Sequence, residues 1–379
     1  MNDKQITMPE VITSTAALQR AAERMSHEPV LAFDLEADSM HHYQEKVCLV
    51  QISTSTESVM VDPLACPDLA PIAPLLADPA IRKIFHGADY DVRSLHRDFG
   101  IEIHNLFDTM IACQFLGETE VGLAAVLKKR FGVDLDKRFQ QADWSRRPLS
   151  AEMLDYAVKD TSLLIPLYRQ LEIELQAKGR LAWVLEECEL LSRVRVAERG
   201  EGPLFIRFKG ASRMAPPVLA ILEELLRFRD AEAQRRDLPP FKVLGAESLR
   251  EIAERRPMAI PDLGGITGLS PRLLDRYGRQ LLEAVARGVS SKGGLPVFPH
   301  TSRHKRTPEQ EARLKKLKAW REAKADGLGV APGLLANNAL LEGLAEGGLG
   351  DDRELSPGLK EWQRNLFGSE LETLLHRIS

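Results

Sequence analysis

The chain of 379 residues is 28% charged and 44% hydrophobic, and its formal net charge is −4. That length exceeds one compact core and predicts two or three domains of ordinary globular composition. The charge balance excludes a global positive field, so any contact with nucleic acid must come from local patches or through metal ions.

Residues 14–25 carry the period of an amphipathic helix. Val30-Leu31-Ala32-Phe33 then opens an apolar run that ends in Asp34-Leu35-Glu36, which predicts a strand buried on both faces. Val47–Ser53 and Ser58–Asp62 read as two more strands, joined by the polar turn Thr54–Glu57. Leu69–Ala77 reads as helix and Ile81–Phe85 as strand. A helix Tyr90–Phe99 stopped by Gly100 follows, then a short strand near Ile103, a helix Thr109–Leu116, and a helix Leu123–Phe131 stopped by Gly132. One long helix is predicted from Ala151 to Gln176, with Ser150 as its N-cap. A hairpin followed by strand–helix alternation predicts a mixed α/β sheet with helices on both faces.

After Gly200 the strand-like runs end and the chain becomes helical, with breaks at Pro216-Pro217, Pro239-Pro240 and Gly264-Gly265. A weak repeat with a period near ninety residues runs through this half. Phe228-Arg229 recurs as Trp320-Arg321, Val243-Leu244 as Leu334-Leu335, and Leu269-Ser270-Pro271 as Leu355-Ser356-Pro357. Tyr277-Gly278-x-x-Leu281 recurs as Phe367-Gly368-x-x-Leu371. The pattern predicts a first domain over 1–205, two similar small all-α domains over 210–290 and 309–379, and a linker at 291–308. Arg303, Lys305, Arg306, Arg313, Lys315, Lys316 and Lys318 form a local basic run, read either as a solvated helix face or as an RNA contact.

Cys48, Cys66, Cys113 and Cys188 are scattered without metal-finger spacing, which predicts buried reduced thiols. No stretch approaches the roughly 18 apolar residues of a membrane span, and no leader pattern opens the chain. A cytoplasmic, monomeric protein without membrane contact is expected.

The chemistry-bearing residues are acids. Alternation along a strand places Asp34 and Glu36 on one face and Leu35 on the other. Two such carboxylates resist burial unless a hard cation joins them, although a strand running into solvent carries acids as well. Asp89 and Asp91 follow the small-residue turn His86-Gly87-Ala88, where the helix macrodipole alone favours an acid. Tyr156 and Asp160 are four apart and share a helical face bordered by Leu163, Leu164 and Leu167, a spacing also common in plain cores.

Asp34-x-Glu36, then Asp91, then Tyr156-x-x-x-Asp160 stand in the order of one known family. The chain resembles the DEDD-type 3′–5′ exonucleases, in the subclass whose third motif carries Tyr. Val50-Gln51-Ile52, Phe85-His86-Gly87-Ala88, Phe107-Asp108-Thr109 and Asp143-Trp144-Ser145-x-x-Pro148-Leu149 look like the ribonuclease D family. Leu35 departs from it, standing where many members carry Thr. The repeated helical units look like HRDC domains. This resemblance covers residues 10–200 for the nuclease and implies an RNase H-like mixed-sheet domain followed by two HRDC-type domains. It implies Asp34, Glu36, Asp91 and Asp160 as ligands of two divalent ions, Mg2+ or Mn2+, with Asp34 bridging. Tyr156 is implied as a catalytic residue that orients the attacking water, being a poor base at neutral pH. His86, Gln51 and Trp144 are implied as substrate-binding. The implied substrates are tRNA precursors and other structured RNA with a free 3′ end, and the products nucleoside 5′-monophosphates. A 3′–5′ DNA exonuclease and an inactive RNA-binding adaptor are the competing readings.

Overall fold

Four of the six strands of the sheet, Val30–Ala37, Val47–Ser53, Ser58–Val61 and Arg82–Phe85, stand where the patterning above places them. The structure, a computed structural model, describes residues 10–197, 200, 202–290, 296–299, 306–347 and 358–376. In chain order the first part is β1 (Glu10–Ile12), α1 (Thr15–Met25), β2 (Val30–Ala37), β3 (Val47–Ser53), β4 (Ser58–Val61), α2 (Ala73–Ala77), β5 (Arg82–Phe85), α3 (Asp89–Phe99) and β6 (Leu106–Asp108). Then come α4 (Thr109–Leu116), α5 (Leu123–Phe131), α6 (Ala151–Ser162), α7 (Leu164–Ala177) and α8 (Leu181–Ser192). The sheet order is β1-β4-β3-β2-β5-β6, with β2–β3–β4 antiparallel and the remaining pairs parallel. The expected mixed sheet is present.

Alternation divides its two faces. Val59 and Val61 join one apolar cluster with Leu31, Phe33 and Leu35, whereas Met60 and Leu49 join another with Leu154, Ala157 and Val158 of α6. Leu35 therefore lies on the face opposite α6, as strand geometry requires of the residue between Asp34 and Glu36.

Two expectations need correction, and two elements lie where none was expected. The strand expected near Ile103 lies at Leu106–Asp108; Ile103 is buried in the loop before it. The single long helix is two, α6 and α7, meeting at Leu163. Pro166 explains the break. It has no N–H to give the carbonyl of Ser162, and its ring would clash with that carbonyl in a continuous helix. In the first turn of a new helix it is harmless. Finally, β1 and α8 carried no recognised signal.

The second half holds α9 (Pro216–Arg236), α10 (Pro240–Val243), α11 (Ala246–Arg255) and α12 (Pro271–Val289), then α13 (Pro308–Leu328), α14 (Pro332–Leu335), α15 (Asn338–Gly347) and α16 (Glu361–His376). The repeat is real: α9 and α13 each have 21 residues, α10 and α14 each 4, and α11 and α15 each 10. The starts of the first three helices of each repeat keep one constant spacing, which pairs Val243 with Leu335 instead of Leu334. Tyr277, Gly278 and Leu281 are buried, and so are Phe367, Gly368 and Leu371. The match at Leu355-Ser356-Pro357 lies outside the described residues.

The described residues form two compact units: those within 1–37, 47–196 and 305–379, and those within 38–46 and 197–304. In the first unit, α13–α16 share the apolar core of the sheet. The Trp362 ring stacks on Trp183 at 5.4 Å and meets Phe115 edge-on at 5.4 Å. Glu186 accepts the first backbone N–H groups of α16, from Glu361 and Trp362, at 2.7 and 2.8 Å. Arg180 donates to the carbonyls of Phe115 and Leu328, both at 2.6 Å. In the second unit, the β2–β3 connection joins the helices: Tyr43 donates its hydroxyl to Asp230 at 2.9 Å and its backbone N–H to Asp237 at 3.1 Å. All four cysteines are buried thiols, and among the described residues no helix is long and apolar enough to cross a membrane.

Candidate active site

Asp34, Glu36 and Asp160 each offer a carboxylate oxygen, and these oxygens lie within 4.8 Å of one another. β2 brings the first two to the end of the sheet, where a register shift at Glu36/Ala37 turns the strand aside. α6 brings the third. Ser150 caps α6, accepting the N–H of Met153 at 3.2 Å. Thr161, next to Asp160, ties the helix to β3 through a 2.6 Å hydroxyl bond to Ser53, which in turn meets Ser58 at 2.7 Å. The helix is thereby fixed in rotation as well as position.

Asp91, in the first turn of α3, is buried beside this trio. Its carboxylate accepts from its own backbone N–H and from that of Leu35, which ties α3 to β2 between the two strand acids. Asp89, the other acid of that turn, forms an exposed i,i+4 pair with Arg93 at 2.8 Å. The turn itself is held by Asp108. That side chain accepts from the N–H groups of Gly87 (3.0 Å) and Ala88 (2.8 Å) and caps α4 at Met110 (2.7 Å) and Ile111 (3.3 Å). Gly87 takes φ 78°, a backbone state for which glycine is suited. Asp108 is thus the residue that aims Asp91, a role its sequence motif did not disclose.

Burial raises every acid of the group, and repulsion from the other members adds to it at Asp34 and Glu36. Asp34 is held well above the carboxylate range by burial and by Asp160, Asp91 and Glu36. Burial with Asp160 and Asp91 pushes Glu36 to about 9, and burial lifts Asp91 and Asp160 to about 7. Tyr156 donates its hydroxyl to Asp160, and burial beside three carboxylates raises its own pKa. It stays protonated at neutral pH and serves as a donor.

A cleft of about 390 Å³ opens onto Asp34, Glu36, Tyr156, Asp160 and His86, with Lys137 and Gln140 on its rim. Lys137 was not singled out in the sequence, although a cation facing an acid cluster is what an anionic substrate needs. His86 bonds through Nδ1 to Thr109 Oγ1 at 2.8 Å, while Thr109 gives its only hydroxyl proton to the Phe85 carbonyl at 2.9 Å. Nδ1 is thereby engaged, and Nε2 is buried beside the Val121 backbone. Burial lowers the His86 pKa, which keeps the ring neutral.

Trp144, expected to bind substrate, is enclosed: it is 1% exposed, and its indole N–H is given to the Phe139 carbonyl at 3.2 Å. It packs with its ring centre 6.0 Å from that of Tyr156, and Phe139 flanks the same tyrosine at 5.8 Å. The motif around Trp144 is locked by Arg147, which binds Asp62 twice at 2.6 Å and the Cys48 carbonyl at 2.8 Å. Gln51 is likewise fully buried.

A family model described as 3′–5′ exonuclease matches residues 9–176, and one described as HRDC domain matches 218–285 and 310–374. Ribonuclease D of Granulibacter bethesdensis is 32% identical over 96% of this chain and 91% of its own length. Escherichia coli RNase D, described as an exoribonuclease involved in structured RNA processing, superposes with TM-score 0.74 at 26% identity over 98% of this chain and 99% of that one. The catalytic core of RRP6 from Trypanosoma brucei gives 0.65 at 32% identity, over 76% and 82%. A 3′–5′ exonuclease domain joined to HRDC domains is thus the class of protein that fold and acid cluster define. The chain belongs to the ribonuclease D family.

Proposed function

We propose that the chain hydrolyses RNA from free 3′ ends at the Asp34–Glu36–Asp160 cluster, releasing nucleoside 5′-monophosphates. Tight clustering of these partly buried carboxylates is the observation that carries the reading. Buried acids with raised proton affinity are the donor set that hard divalent cations suit. Asp34, Glu36 and Asp160 would hold such ions, Mg2+ or Mn2+, with Asp91 contributing from α3. When bound, the ions acidify water and neutralise charge on the scissile phosphate.

The remaining work falls to the chain's own side chains. Asp160 receives the Tyr156 hydroxyl, whose ring is shelved on Trp144 and Phe139, so phenol and carboxylate are oriented as one unit. Lys137 at the rim draws phosphate into the cleft.

Structured RNA, including tRNA precursors, is the substrate class, by extension from the E. coli relative. Of the basic run on the C-terminal side, Lys315, Lys316 and Lys318 are exposed on α13. Arg306 is engaged with Glu342 and Glu346 at 3.0 and 2.8 Å, and Arg313 donates to the Ala345 carbonyl at 3.1 Å. Arg303 and Lys305 lie outside the described residues. The three lysines are therefore the residues of that run proposed to meet phosphates.

The test is timed digestion of matched RNA and DNA oligonucleotides with free or blocked 3′ ends. Shortening of RNA from the free end only is expected. Equal digestion of DNA would replace the RNA reading by the DNA one, and no digestion with any ion would favour an adaptor.

Tyr156→Phe keeps the ring and its packing but removes the hydroxyl bonded to Asp160. Turnover should fall about 10- to 100-fold, as for other groups that orient ligands, with the melting temperature nearly unchanged. Unchanged turnover would reduce Tyr156 to a packing residue.

A further inference from the structure

Gln51 is fully buried, and neither end of its amide has a hydrogen-bond partner in the protein. Such orphans are rare, because a buried amide gives up water without return. An apolar side chain of the same length would avoid that loss. In the register Asp34↔Gln51 of β2–β3 and Gln51↔Met60 of β3–β4, the next residue in the row is such an apolar side chain, a buried methionine.

The same register explains the amide. Residues directly opposite on antiparallel strands place their Cβ atoms about 4.5–5.5 Å apart on one face. Gln51 and Asp34 are such a pair, on the face covered by α6 with Tyr156 and Asp160. Full burial separates Gln51 from the substrate, contrary to the expected binding role. Of the cluster's carboxylates, that of Asp34 belongs to the residue directly across the strand pair from the amide.

We infer that Gln51 is a positioning residue for the cation site: its amide N–H2 donates to the Asp34 carboxylate when a divalent cation is bound, fixing which oxygens face the ion. This rests on the reading of Asp34, Glu36 and Asp160 as cation ligands. The orphan amide is a stability loss in the cation-free protein that is recovered on loading.

Full-length wild type and Gln51→Met, Gln51→Leu and Asp34→Asn variants are titrated with Mn2+ and followed by electron paramagnetic resonance of the free ion. Each is also melted without metal. Removing a group that orients a ligand typically weakens metal binding 10- to 100-fold. Gln51→Met should therefore bind Mn2+ at least about tenfold more weakly, with a metal-free melting temperature equal to or above that of wild type. Gln51→Leu, differently shaped but also lacking the amide, should weaken binding by a similar factor. Mn2+ affinity within twofold of wild type in either folded variant would overturn the inference. So would a loss of affinity that appears only alongside a lowered metal-free melting temperature, since that is a packing effect. If Asp34→Asn binds Mn2+ like wild type, the cation reading itself fails, and this inference with it.

Discussion

Asp34→Asn is expected to reduce RNA shortening by about a thousandfold or more while raising the melting temperature of the metal-free protein. Asp34 is crowded by Glu36, Asp91 and Asp160 within a buried site, so removing its charge relieves repulsion and desolvation together. Each kcal/mol relieved should raise the melting temperature by about 2–4 °C in a unit of this size. The two effects have opposite sign because the site is built for a cation and not for the empty fold. Asp160→Asn added to Asp34→Asn should cost little further activity, since ligands of one site act as a unit. Retained turnover, or a lowered metal-free melting temperature, would contradict this assignment; turnover assays and calorimetry decide it.

The second large effect is on pH dependence. In the unfolded chain these acids titrate near 4. In the folded protein Asp91 and Asp160 titrate at about 7, Glu36 at about 9, and Asp34 well above its ordinary value. From about pH 4 to about pH 9 the folded state thus binds more protons than the unfolded state, and this cluster makes stability fall as pH rises. Below pH 4 both states are protonated and the contribution vanishes; the loss is complete only once Glu36 and Asp34 have both ionised. A divalent cation replaces those protons, so Mn2+ should raise the melting temperature little at pH 5 and much more at pH 8–9, with protons released on binding. The cluster's share is the difference between wild type and Glu36→Gln melted across that range without metal. A difference that shrinks as pH rises, or Mn2+ stabilisation strongest at pH 5, would contradict the burial of these acids as described.

Much of the site was legible in the sequence because it rests on local periodicity. Two-residue alternation put Asp34 and Glu36 on one face, and four-residue spacing put Tyr156 and Asp160 on one helical side. What escaped depends on partners distant in sequence. Asp108 aims Asp91 through backbone groups about twenty residues away, and no pattern in Phe107-Asp108-Thr109 announces those bonds. Trp144 was legible as an aromatic in a motif, but not as a ring enclosed under Tyr156 with its N–H already given away. The basic run read as a surface because Arg306 stands in sequence among cations, while its carboxylate partners lie on α15. β1 has only three residues, too few for a period to show, and it is defined by parallel pairing with β4.

The most direct test of the central claim is digestion of a 3′-hydroxyl RNA in 18O-labelled water with Mn2+ or Mg2+, followed by mass spectrometry of the released mononucleotides. Attack of water on phosphorus at the Asp34–Glu36–Asp160 cluster predicts nucleoside 5′-monophosphates carrying one 18O in the phosphate, released only from the 3′ end and lost in Asp34→Asn. Unlabelled products, 2′,3′-cyclic or 3′-phosphates, or undiminished release by Asp34→Asn would contradict it.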